Sequence, residues 1–436
     1  MERPASQVVP LLPEQRRFLT RALPEAHHWN QVSLFRIPTE LTAPIVATAM
    51  RLVVNRHEAL RVRLTDASPC DVGALAPPLD TFPVEEVDLS TENDSDALTA
   101  YCTQVQASLR FDDPPMLRVS RITLNGGEVR LLVVAHHFVA DGVGFGVLIG
   151  EFDAACRDLL AGRTPTEPRP TAGAHEFASW LTKKSREPDI VDQYETWLRL
   201  GQSAPAVPLQ YDRENTMATT EIATVVMNRD ETHALLRAAG TGGRSGGILD
   251  VFLTALIPTL TAGGDTRLRT NLIGHGRYGL AGQPRVARTV GWLSTRYPLH
   301  LALDGHADFA TQREEVRRQL GEVPMSGTGF GLLRYVSDDP ALREELARLG
   351  EPDVTVNYRG RTRAPEPDTL LQPADESPGP DETSTGLREH VHGVDLLVRA
   401  DEMNVIWYYS ANQFDADTVT RYATELCDRV RKGLGL

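Results

Sequence analysis

Two histidines stand side by side in the run Val134-Ala135-His136-His137-Phe138-Val139-Ala140-Asp141-Gly142. Imidazole titrates near neutrality, so a histidine held in a cleft can take a proton from an amine, a hydroxyl or a carbon acid. The apolar, β-branched residues before the pair predict a buried strand over 128–136. The glycine that follows predicts a turn, and a helix is expected over 144–160. A residue at the end of such a strand projects from a rigid scaffold into whatever cleft lies there. Asp141 is placed to fix the turn by pairing with an arginine from elsewhere. Read from the residues alone, a structural pair satisfied by backbone carbonyls is an equal alternative to a catalytic one. Metal ligation is the weakest reading, because adjacent strand residues face opposite sides of a sheet. No third ligand stands at a typical spacing either.

The elements that must position this run can be read along the chain. A helix is predicted over 12–23, a strand over 29–37, and an amphipathic helix over 42–55 with Ile45, Met50, Leu52 and Val53 on its apolar face. A helix over 96–109 precedes strands at 116–124 and 128–136, joined by the hairpin signal Asn125-Gly126-Gly127. The polar, proline- and glycine-spaced run 161–173 reads as a linker, dividing the chain into lobes of 1–170 and 174–436. The second lobe is expected to hold helices within 175–200, at 231–239, 248–261 and 418–432. Its expected strands are 221–227, 268–273, 292–300, 392–399 and 403–410. The stretch 364–385, acidic and poor in apolar residues, predicts a mobile loop. Strands and helices mix without a regular βαβ period, which makes the fold class α/β.

A chain of 436 residues is long enough for two to three structural units of roughly 100–200 residues each. The 59 acidic side chains exceed the 45 basic ones, giving a net charge of −14. Such a body repels a phosphate backbone and anionic lipid, so neither nucleic acid nor membrane is an expected partner. Cys70, Cys102, Cys156 and Cys427 form no CxxC pair, which argues against a disulfide framework or structural zinc. No signal peptide or membrane-length apolar run is evident, and a cytoplasmic location is expected. The glycine-rich run 241–247 lacks a Walker lysine and is expected to be a flexible turn.

The pattern HHxxxDG at His136–Gly142 resembles that of the condensation-domain superfamily of nonribosomal peptide synthesis. Other stretches match in the same order: Arg56-His57-Glu58-Ala59-Leu60-Arg61, Val290-Gly291-Trp292-Leu293, Tyr297-Pro298-Leu299 and Val356-Asn357-Tyr358. Several segments look most like epimerization domains, among them residues 24–31, Gly274-His275-Gly276-Arg277 and Ser326-Gly327-Thr328-Gly329-Phe330-Gly331. Two departures stand out. Epimerization domains usually read Glu-Gly-His-Gly-Arg-Glu, with the first glutamate taken as an acid/base partner of the histidine. Here Ile273 and Tyr278 occupy the two glutamate positions. The usual Ser-Trp after the turn is Gly144-Phe145.

The resemblance implies two chloramphenicol-acetyltransferase-like lobes in a V-shaped pseudodimer, with His137 as the catalytic group in a tunnel between them. It makes His136, Asp141, Gly142 and Arg277 structural at the site, with an Asp141–Arg277 salt bridge holding the loop against the second lobe. Gly144, Ile273, Tyr278 and Asn357 would line the substrate channel. His27, His28 and His275 are assigned to packing or hydrogen bonding. No bound cofactor and no metal is implied. Substrates would arrive on the phosphopantetheine arms of acyl or peptidyl carrier proteins, with a small-molecule acceptor, and a monomer suffices. Arg16, Arg17 and Arg21 on the first helix are candidate carrier contacts, a solvated helix face being the alternative. Because the resemblance takes up nearly the whole chain, a free-standing domain acting in trans is expected.

Inverting an α-carbon needs a proton donor and a proton acceptor on opposite faces, and Ile273 removes the evident second group. Losing one such group typically costs a factor of about 10²–10⁴. Amide or ester formation from an activated thioester asks only for positioning and one base. The expected function is therefore a carrier-dependent, condensation-type acyltransferase. The alternatives are a trans-acting epimerase or other proton-transfer enzyme, and a non-catalytic recruitment domain.

Overall fold

The run Val129–His136 is buried at every position. That pattern belongs to a central strand covered on both faces. In this computed structural model, which describes residues 7–64, 71–91, 95–240, 247–261, 266–362 and 368–436, it is the middle of a five-stranded sheet. Leu117–Thr123 flanks it across the Asn125–Gly127 turn, where Gly126 and Gly127 take φ of 76° and 79°. Asn30–Ile37 pairs antiparallel on its other side, with Asn30 opposite His136. Alternate residues go to opposite layers, as strand geometry requires. Leu131, Val133 and Ala135 join Met50, Val53, Leu148 and Phe152 from the helices Ala43–Arg56 and Gly142–Leu160. Leu132 and Val134 join Leu98, Cys102 and Val105 from the helix Ser95–Gln106.

The chain forms two compact units, and the single cut at 170–174 is not where they divide. The first unit contains Met1–Lys184 together with Arg277–Ser294 and Pro365–Thr383. The run 161–173 is not a linker between units. Ala172 N–H donates to the Arg285 carbonyl at 2.8 Å, and Thr171 Oγ1 bonds both the Arg285 carbonyl and Thr289 Oγ1. Its composition reports a lack of regular structure rather than a lack of partners.

The predicted mobile loop is likewise overturned across its described part, 368–385. Gln372–Pro373 adds an edge strand to Asn30–Ile37. Leu371 is buried in the core, its amide and that of Leu370 donating to Asp153 Oδ1. Glu376 receives a forked contact from Arg130, the shortest distance being 2.6 Å. Two leucines and paired charges anchor a segment whose average composition suggested disorder. The first helix also differs from expectation. It runs only Pro13–Leu19, and Arg16 and Arg17 are buried rather than presented for docking or to water. Arg17 pairs with Glu14 at 2.9 Å, Arg16 caps the Leu11 carbonyl, and Arg21 lies over the Trp29 ring.

The second unit is built on a six-stranded sheet. Its strands run, in spatial order, Thr295–Ala302, Arg267–Gly274, Val354–Arg361, His392–Arg399, Glu402–Ser410 and Thr220–Met227. One face buries Leu268, Leu272, Val356, Val394, Leu396, Val405 and Trp407. The helix Ile248–Leu260 is apolar nearly all round. The helix Ala416–Leu434 buries Val419, Ala423, Leu426, Cys427 and Val430 at helical spacing. The predicted strand at 292–300 begins only at Thr295. The amides of Leu293 and Ser294 are spent on the Asp141 carboxylate instead of a ladder. The glycine-rich run 241–247 lies outside the described residues except for Gly247, as does Cys70.

Candidate active site

The strand ends at His136, and the amide of His137 donates to the Trp29 carbonyl at 2.7 Å. The two histidines then diverge completely in environment. His136 is sealed among Phe18, Phe111 and Phe138. Its Nδ1 accepts from the Phe138 amide at 2.9 Å, so Nε2 carries the proton and donates to the Ala26 carbonyl at 2.8 Å. Burial pushes its pKa down to about 3, and the ring stays neutral. With both nitrogens engaged, His136 is a structural residue. His137 is only half-buried, and its ring rests against Trp292 with centroids 4.2 Å apart.

Asp141 organises the turn that follows. It is the N-cap of the helix Gly142–Leu160, with Oδ1 accepting from the Gly144 amide at 2.7 Å. Arg277 grips both carboxylate oxygens at 2.8 and 2.9 Å, and Oδ2 also accepts from the Leu293 and Ser294 amides. Both side chains of the pair are about 5% exposed or less. The segment 277–294 belongs to the first unit, so this pair is internal to that unit and does not tie the loop to the second lobe as expected. A second carboxylate on the same helix, Glu151, holds the segment through Arg288 at 2.9 Å and meets His57 at 3.0 Å. Burial alone would raise its pKa. The His57 and Arg288 contacts outweigh burial and hold it below the usual range.

Gly142 is exposed at the first turn of the helix, with only Gln31 Oε1 near the position of an added Cβ. As the first residue of that helix, it has an amide with no carbonyl four residues back within the helix to bond. Gly144, two residues further on, is in a tighter place. It is buried against the Gly291 backbone, where a Cβ would lie 3.1–3.2 Å from that backbone and from Asp141 Oδ1. Tyr278 is half-buried beside Arg277 in the first unit. His28 is buried against the Pro380 carbonyl, whereas His275 is exposed.

Ile273 and Asn357 belong to the second unit, where they are direct partners on neighbouring strands. The same lateral row runs through Arg296, Ile273, Asn357, Asp395 and Ile406. It lies on the face opposite the helix-covered one. Sequence reasoning missed Asp395, although a lone carboxylate in the apolar strand His392–Arg399 was a visible signal. Among the described residues, one cluster has metal-ligating donors: Glu351, Glu389 and His390. Arg296 Nη1 lies 2.8 Å from His390 Nε2 and 3.3 Å from Glu389 Oε2, so a guanidinium already fills that space.

These features match one family throughout. The Condensation domain family model covers residues 5–432, and the chain belongs to the condensation-domain family of nonribosomal peptide synthesis. Linear gramicidin synthase subunits B and C of Brevibacillus parabrevis are 30% and 29% identical to it over 97% of the chain. The chain spans only 8% and 6% of those two relatives' lengths. The solved epimerization domain from the third module of tyrocidine synthetase B matches with a TM-score of 0.86 at 22% identity, covering 99% of this chain and 98% of that one. An X-domain from teicoplanin biosynthesis matches at 0.75, with 19% identity over 100% and 96% of the two chains. The first condensation domain of the calcium-dependent antibiotic synthetase matches at 0.72, with 19% identity over 98% of each. No described helix is long and apolar enough to cross a membrane.

Proposed function

We propose that the chain is a condensation-type acyltransferase. It joins an acyl or aminoacyl thioester, carried on the phosphopantetheine of a carrier protein, to an amine or alcohol acceptor. The observation that carries this reading is the contrast between the two histidines. His136 is locked neutral, whereas His137 is half-exposed on a turn fixed by the Asp141–Arg277 pair. His137 takes the acceptor proton as the nitrogen or oxygen bonds to the thioester carbon. The C–S bond breaks, and the thiol leaves with that proton. The Gly142 amide stabilises the oxyanion between these events. The chain needs no resident cofactor for this reaction. Ile273 supports condensation over α-carbon inversion, since it supplies no second acid or base.

The test is single turnover of a carrier-bound aminoacyl thioester with and without an acceptor in deuterated water. Coupled product without α-deuterium is expected, and His137→Ala should lower its rate by about 10²–10⁴. An unchanged rate in that variant, or α-deuterium without coupling, would overturn the proposal.

A further inference from the structure

Trp292 stands between fixed points of the first unit. On one side the Asp141 amide donates to the Gly291 carbonyl at 3.0 Å, and Arg277 donates to the Thr289 carbonyl at 2.9 Å. On the other, the Leu293 and Ser294 amides donate to Asp141 Oδ2 at 2.8 and 3.1 Å. The Asp141–Arg277 pair thus directs its bonds to the backbone on either side of residue 292. The indole held there is 4% exposed and packs on two rings: Phe18, with centroids 5.5 Å apart, and His137, at 4.2 Å and a tilt of 39°. Core packing accounts for the first contact, since Phe18 and Trp292 belong to one buried cluster. It does not account for the second, because the His137 ring is half-exposed. All of these residues lie within the first unit.

We propose that Trp292 is a positioning residue for His137: its indole sets the direction of the imidazole, and the Asp141–Arg277 pair acts on catalysis by placing that indole. The inference rests on the acyltransferase reading, in which His137 is the base. A general base must hold a nitrogen toward the proton it takes, and a half-exposed ring on a turn keeps one direction only if something covers its face. The indole supplies that cover from a rigid place in the core. Its π face is negative, so it also favours the imidazolium that forms once the proton has arrived.

The experiment follows single-turnover coupling of a carrier-bound aminoacyl thioester in the wild type, Trp292→Leu, Trp292→Phe, His137→Ala and the double variant of His137→Ala with Trp292→Leu. Trp292→Leu should lower the saturating rate by about tenfold to a hundredfold, with the half-saturating acceptor concentration within about twofold of wild type. Trp292→Phe, which keeps an aromatic face, should recover most of that loss. In the His137→Ala background the leucine should change the rate by about twofold or less, because a residue that acts through His137 has nothing left to position. Proton NMR of the histidine rings reads the contact itself. The His137 resonance, identified by its disappearance in His137→Ala, should stand upfield under the indole ring current. It should move downfield in Trp292→Leu while the other histidine resonances stay in place, which shows that the fold is intact. Equal losses in the two backgrounds, a Trp292→Phe variant as slow as Trp292→Leu, or a His137 resonance that does not move overturns the inference. A wild-type His137 resonance without the upfield shift overturns it whether or not the leucine variant folds. A His137→Ala protein that couples at the wild-type rate refutes the acyltransferase reading, while a His137 resonance released by Trp292→Leu still shows the indole setting the ring.

Discussion

At the scale of single residues, adjacency in sequence says little about shared chemistry. His136 and His137 are neighbours, yet one is buried to a pKa of about 3 and the other rests half-exposed on Trp292. The carboxylates diverge in the same way. Asp141 is saturated by a bidentate guanidinium and three backbone amides. Truncating Arg277 to Ala strands a buried charge and should cost about 3–5 kcal/mol in a urea titration. Asp395 behaves oppositely. Its folded-state pKa lies above the unfolded value of about 3.9, so the folded protein holds that proton longer. Stability therefore falls as pH rises from the unfolded value through the folded one. The charged groups bearing on it are Arg359 and Arg296, with Tyr408 on the same face from the adjoining strand. Asp395→Asn should raise the melting temperature at pH 7 and lose that gain near pH 3. A lower melting temperature at pH 7 would contradict this. Position 141 and its partner were legible in the sequence through a motif. Asp395 left a signal, a lone carboxylate in an apolar strand, but its partners Asn357 and Arg359 come from another strand and no local pattern names them.

At the scale of elements, the strands and helices with strong periodicity came through with small boundary shifts. The departures arose where a side chain far away in sequence captured the backbone. Leu293 and Ser294 look like strand residues, but Asp141 takes their amides. The stretch after 368 looks like a loop, but Asp153 and Arg130 fasten it. The start of the helix Gly142–Leu160 is equally constrained. Gly144→Ala would press a methyl against the Gly291 backbone, with an expected loss of about 1–3 kcal/mol in the same titration. The six-stranded sheet offers the converse test. Ile273 stands opposite Arg296, so a glutamate there would find a guanidinium partner. Ile273→Glu should increase α-deuterium incorporation into a carrier-bound aminoacyl group without abolishing coupling. No increase would mean that position 273 alone does not separate the two chemistries.

For the whole molecule, each unit holds one fully buried neutral histidine: His136 in the first and His392 in the second. Burial lowers each to a pKa of about 3, whereas both would protonate near 6.5 when unfolded. The unfolded chain thus binds more protons between those values, and stability falls as pH drops through that window. The slope approaches about 1.4 kcal/mol per pH unit for each histidine. Acid denaturation followed by circular dichroism should begin below pH ~6, and His392→Gln should flatten it. A curve flat down to pH ~4 would refute this reading.

The first unit is completed by Arg277–Ser294 and Pro365–Thr383. A growing chain that has emerged only as far as Lys184 lacks Arg277, the Leu293 and Ser294 amides and the edge strand at Gln372–Pro373. At about 5–20 residues per second, the last of these pieces follows on the order of 10–40 s later. For about the first half of that interval the Asp141 carboxylate lacks Arg277, and throughout it one edge of the sheet stays open to pairing with another chain. Vectorial synthesis therefore gives this protein a vulnerable age. A ribosome-bound nascent chain ending at residue 200 should be protease-sensitive around the histidine pair, whereas one extending past residue 420 should not be.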